Sequence, residues 1–143
     1  MAYQARRSKE ISEDLELVNE NGEVEKVIHV QIGLDQMAEK ISGKYMDLLR
    51  IQRQLPKLQT DSPEKLPGVL EEAGQMVVTL FQAVFGEEDT AAIIEFYEGR
   101  FQEMIQEVLP FVAECVIPQV RNAITERRKS AGNKYRKKAR WHK

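Results

Sequence analysis

The sequence predicts a mainly α protein with a small β part: an N-terminal β-hairpin packed on three to four helices, then a kinked C-terminal helix and a basic tail. Three observations carry this reading. Apolar and polar residues alternate over residues 15–32, the period of a half-buried strand. Over residues 34–55, 69–85 and 93–120 the apolar positions recur instead every three or four residues, the period of an amphipathic helix. Residues 121–143 hold ten Lys/Arg against one acid, Glu126, about +9, whereas the preceding part holds eleven bases against twenty-two acids, about −11.

In the hairpin, Leu15 and Leu17 flank Glu16, and Ile28, Val30 and Ile32 alternate with His29 and Gln31. Between the two runs lies Asn19-Glu20-Asn21-Gly22, whose Asn-Gly step supplies the positive φ angles of a tight turn. Two strands alone are marginal in water, so one face must pack on a helix or the hairpin must extend another sheet. Its free edges are open to pairing with a partner chain.

Gly33 ends the strand, and Asp35 is the expected N-cap of a first helix running to about Gln54, with Met37, Ala38, Ile41, Tyr45, Leu48 and Leu49 on its stripe. Gly43 inside it either weakens the helix by roughly 1 kcal/mol relative to alanine or marks a close helix contact. Residues 56–67 hold three of the five prolines and no periodicity, which predicts a loop linking to the next helix. A second helix is expected from about Pro67 to Phe85, dense in apolar residues and closed by Gly86. A third helical pattern opens at Asp89 or Thr90, where acidic residues suit the positive end of a helix dipole. Gly99, Pro110 and Pro118 interrupt it, so two or three segments or a kinked helix are expected.

At 143 residues and 16.5 kDa the chain has room for one domain. The expected division is an α-rich domain over 1–126, with hairpin 15–32 and linker 56–67, and a flexible basic tail over 127–143. No run of about 18 apolar residues is present, so no membrane contact is expected. The polar N-terminus lacks the apolar core of a secretory signal, and the single Cys115 has no disulfide partner, which together point to a cytoplasmic protein.

Catalytic chemistry finds little to work with. One Cys and two His, far apart at positions 29 and 142, do not make a structural zinc site. Cys115 lies among Val112, Val116 and Ile117 on an expected core face, where a thiol stays protonated. Glu87-Glu88-Asp89 lacks the spacing of a calcium loop and reads as a helix start. With no phosphate loop and no nucleophile, base and orienting group in sight, neither enzyme activity nor a cofactor is expected.

Binding is the better expectation, through two surfaces. The third helical region carries bulky residues on most of its sides, more than one small domain can easily cover, which favours self-association or partner binding through Phe96, Tyr97, Phe101, Ile105, Phe111 and Val112. The tail offers Arg127, Arg128, Lys129, Lys134, Arg136, Lys137, Lys138 and Arg140, interleaved with Tyr135 and Trp141. Cations and aromatics in that mixture can neutralise phosphates and stack on bases of single-stranded nucleic acid. The same mixture can contact the acidic body of a neighbouring copy or an acidic partner, or simply aid solubility.

The order of these features resembles the tail assembly chaperones of long-tailed bacteriophages and prophages of Gram-positive bacteria. The hairpin is followed by Leu80-Phe81-Gln82-Ala83-Val84-Phe85-Gly86-Glu87-Glu88-Asp89-Thr90-Ala91, similar to the family's phenylalanine-rich helix end, Phe-Gly-Glu and new helix. Phe96-Tyr97-Glu98-Gly99-Arg100-Phe101, Val108-Leu109-Pro110-Phe111, Ile117-Pro118 and the Tyr/Arg/Lys ending continue the likeness, which spans residues 15–143. The chain departs from the family's arginine-rich polar ending by closing on Trp141-His142-Lys143. The resemblance implies a non-enzymatic, homo-oligomeric protein of the bacterial host cytoplasm. Such a protein keeps the tape-measure protein soluble, helps recruit the tail-tube protein, and is absent from the finished virion. A small nucleic-acid-binding or virion structural protein acting through its basic tail is the alternative.

Overall fold

Alternation and turn chemistry produce the first element. In the computed structural model, which describes residues 2–5, 10–33, 36–126 and 128, strands β1 (Ile11–Val18) and β2 (Val24–Ile32) pair antiparallel. Gly22, at φ 80°, closes the turn and donates its N–H to the Asn19 carbonyl at 3.1 Å. The Asn19 side chain fastens the turn further by accepting the N–H groups of Asn21 and Glu23 at 2.9 and 3.0 Å. Partners in register run from Ile11 with Ile32 to Leu17 with Lys26, and the register slips at Leu17/Val18. Ile11, Leu17, Ile28, Val30 and Ile32 are buried on one face, as a period of two requires.

The hairpin begins at Ile11, four residues before the alternation suggests. Glu13 obscures the pattern because a carboxylate stands in line with the inward-facing residues. It is accommodated by the Nε2 of Gln119, which donates to it at 2.7 Å.

Helix α1 spans Gln36–Asp61, and this corrects the expected loop over 56–67. Pro56 lies inside the helix, at an exposed position where its missing N–H costs least. The stripe of Leu48 and Ile51 continues through the half-buried Leu55 and Leu58, so packing carries the helix past the proline. Only Ser62 and a short 3-10 turn, Pro63–Lys65, separate it from α2 (Leu66–Phe85). A Cβ at Gly43 would meet nothing within 4 Å, so no close helix contact accounts for that glycine. The Asp35 cap lies outside the described residues.

Gly86, at φ 89°, ends α2 as expected, and its carbonyl accepts the Thr90 N–H at 3.0 Å in the first turn of α3 (Glu87–Phe96). The chain then breaks over residues 97–100, with Glu98 at φ 49° and Gly99 at φ 86°. From Phe101 it is helical to residue 126: α4 (Phe101–Phe111), a π-helical turn (Val112–Val116), and a further helical stretch over 117–126. The two prolines therefore do not divide this region, whereas the glycine does. Pro110 stands exposed inside α4. Before Pro118, the π turn widens the backbone and pairs the Ile117 N–H with the Val112 carbonyl, five residues back.

One core joins all the elements. Val77, Leu80, Phe81, Val84 and Phe85 from α2 meet Ile41 and Leu48 from α1, the inner face of the hairpin, and Val108, Val112, Val116 and Val120 from the last helical run. Phe81 and Phe85 meet edge to face at 5.6 Å, and Phe85 stacks on Phe111 at 6.1 Å. Burying a side chain of this size stabilises by roughly 1.5–3 kcal/mol.

Candidate functional site

The six apolar residues expected to form one binding surface are distributed over the core and three separate surface places. Val112 has 0% of its surface exposed and contacts only the core. Phe111 is half-buried by its stack on Phe85. Excess apolar surface in the 111–117 stretch is thus largely absorbed by the chain itself, because α2 and the hairpin both pack against it.

Phe101 is the one of the six that remains exposed, at 37%. Its ring lies across α2 at Gly74, where an added Cβ would stand 3.3 Å from Cε1. Leu70, Gly74 and Val78, four residues apart, form with Phe101 the apolar floor of a shallow groove, and Leu70 is 51% exposed. Ile105 lies in a second groove, between α1 and α4, with Tyr45, Leu49, Leu109 and Pro110.

Phe96 and Tyr97 sit at a third place, edge to face at 5.0 Å. They underlie a cleft of about 310 Å³ between the hairpin turn and the break after α3. Val18, Asn19, Glu20 and Glu25 form one wall; Glu98, Arg100, Glu103 and Glu107 form the other. Arg100 bridges the walls loosely, 3.9 Å from Glu20 and 3.7 Å from Glu103. Five carboxylates against one guanidinium leave the cleft strongly negative. The Tyr97 phenol registers this environment: burial first, then Glu107 and Glu103, raise its pKa above the ordinary 10.0. Nothing in the sequence pattern announces the cleft, because its walls come from two turns far apart along the chain.

The positive charge begins elsewhere. Arg121 lies over the Tyr45 ring, 5.9 Å from its centroid, and its Nη2 is 3.0 Å from the Met46 sulfur. Arg121, Thr125 and Arg128 face Glu39, Ser42 and Gly43 across a groove beside the first turns of α1. Arg128 is exposed, whereas Arg127, Lys129, Lys134, Arg136, Lys137, Lys138 and Arg140 lie outside the described residues.

Other polar side chains are placed as follows. His29 meets Asp14 at 2.7 Å across the exposed face of the hairpin. Cys115 is half-exposed instead of core, because the π turn shifts the phase of the helix and buries Val116 and Ile117 in its place. The Thr90 hydroxyl is buried without a hydrogen-bond partner among the described residues. Among the described residues no three His, Cys, Asp or Glu side chains gather in a way that could hold a metal ion, and no helix is long and apolar enough to cross a membrane.

The chain matches no family model, no curated protein and no solved structure.

Proposed function

We propose that this protein is a non-enzymatic tail assembly chaperone of a long-tailed bacteriophage or prophage. In this role it self-associates in the bacterial cytoplasm and binds the tape-measure and tail-tube proteins during tail morphogenesis. The observation that carries the reading is the exposed apolar groove along α2, where Leu70, Val78 and Phe101 surround Gly74. Gly74 lets the protein's own Phe101 ring lie close against α2, and an amphipathic client helix can seat its apolar stripe on the surface that Leu70, Val78 and Phe101 then present. The resemblance of residues 80–91 and 96–101 to that chaperone family supplies the identity of the client.

Co-expression with the tape-measure protein tests the proposal. The expected result is a soluble complex that is lost when Gly74→Leu and Phe101→Asp fill and charge the groove. Equal solubility of the tape-measure protein with and without this chain would refute it.

The rival reading, a nucleic-acid-binding or virion structural protein, draws on the ten Lys/Arg of residues 121–143 with Tyr135 and Trp141. It predicts salt-dependent binding of single-stranded DNA that disappears when residues 129–143 are removed.

A further inference from the structure

The cleft at the hairpin turn and the groove beside Arg128 lie at different ends of the molecule. Eight paired residues of β1, at about 3.3 Å each, put about 25 Å between the turn and the open end of the hairpin. The cleft is at the turn. Helix α1 starts directly beyond the open end, and it is to the first turns of α1 that the last helical run comes: Gln119 reaches Glu13, Arg121 reaches Met46, and Arg128 lies with Glu39 and Gly43. Arg128, the last described residue, therefore lies at the end far from the cleft.

Those fifteen residues carry seven Lys/Arg, Tyr135 and Trp141, and no acid. The cleft is complementary in both respects: five carboxylates line it, and the Phe96/Tyr97 pair with Val18, 46% exposed, gives it an apolar floor. A cationic peptide with aromatic side chains meets there both its charge and its rings.

We infer that the C-terminal segment of one copy docks in the hairpin-turn cleft of a second copy, so that this protein associates head to tail. Tail and cleft are unlike surfaces at opposite ends, so each contact is heterologous in kind. A single contact leaves one cleft and one tail free, and assembly closes by reciprocal exchange in an antiparallel pair, closes as a ring, or stays open as a filament. The inference deepens the proposed function by specifying how the copies of the chaperone join.

Purified protein suffices for the test, so its outcome is independent of client binding. Analytical ultracentrifugation of the full chain at low salt is expected to show concentration-dependent association, weakened at least about tenfold by 0.5 M NaCl. Removal of residues 129–143, or the double change E103K/E107K in the cleft, is expected to leave monomers with unchanged circular dichroism. The deciding arm mixes the two variants. One supplies only a cleft and the other only a tail, so the mixture forms one-to-one dimers and nothing larger. A tail-less protein that assembles as the full chain does would overturn the inference, as would a mixture that stays monomeric. So would a full chain monomeric at all concentrations whose cleft is filled by its own tail, or a tail that binds single-stranded DNA while the cleft change leaves assembly intact.

Discussion

Residues 96–105 and residues 111–120 are alike in composition, each an apolar stretch containing a helix breaker, yet the first is open and the second closed. Around Gly99 the chain turns, and Phe96, Tyr97 and Phe101 are left on its margins, half-buried or exposed. Around Pro118 the helix absorbs the proline through a π turn, and Val112, Val116 and Val120 are each 0% exposed. The difference teaches that apolar density does not by itself measure what a partner can touch. What decides it is whether the chain's own elements arrive on that face. The hairpin and α2 reach residues 112–120 and leave the turn at 97–100 uncovered.

The largest effect is expected in the closed stretch. Val112→Asp places an unpaired carboxylate in the core and should destabilise by about 3–5 kcal/mol, enough to leave much of the protein unfolded. Urea unfolding monitored by circular dichroism measures it, and a loss below 1 kcal/mol would mean that residue 112 reaches water after all. Next comes the turn. Gly99→Ala forces a side chain into the left-handed region at φ 86° and should cost about 1–2 kcal/mol, whereas the same change at Pro118 should be far milder.

Phe101→Ala should lower stability by only about 1 kcal/mol, since the ring is already part exposed. Its effect on capture of the tape-measure protein should be larger than its effect on unfolding, and the reverse would make Phe101 a structural residue.

The smallest effect is spectroscopic. With its pKa raised by burial and by Glu107 and Glu103, Tyr97 keeps its proton to higher pH in the folded protein than in the unfolded chain. The unfolded state therefore releases its proton first. Stability linked to Tyr97 is complete below about pH 10 and declines as pH rises from there toward the folded value. Absorbance titration should show one late tyrosine that vanishes in Tyr97→Phe.

How far the sequence disclosed these regions depends on the range of the forces that shape them. Gly22 and Gly86 act locally, so the hairpin turn and the end of α2 were legible to the residue. Breakers within helices were not, because a proline's local penalty of ~3 kcal/mol yields to packing along a continuing stripe. Leu55 and Leu58 hold α1 together beyond Pro56, and the widened turn before Pro118 does the same for the last helix. The π turn also explains Cys115, which an unbroken helical period would place in the core. The acidic cleft was illegible because Glu20 and Glu103 share it only after the chain has folded.

The hydrogen bond from Gln119 to Glu13 spans 106 residues of chain. A ribosome adding 5–20 residues per second needs about 5–20 seconds to cover that separation. Through this interval the inner face of β1 lacks its partners from Val112 to Val120, which have yet to be made. Two strands alone are marginal in water, and the contact that finally covers them closes a loop of 106 residues. A protein whose first-made element must wait for its last-made one is most exposed to mispairing while it is still being synthesised.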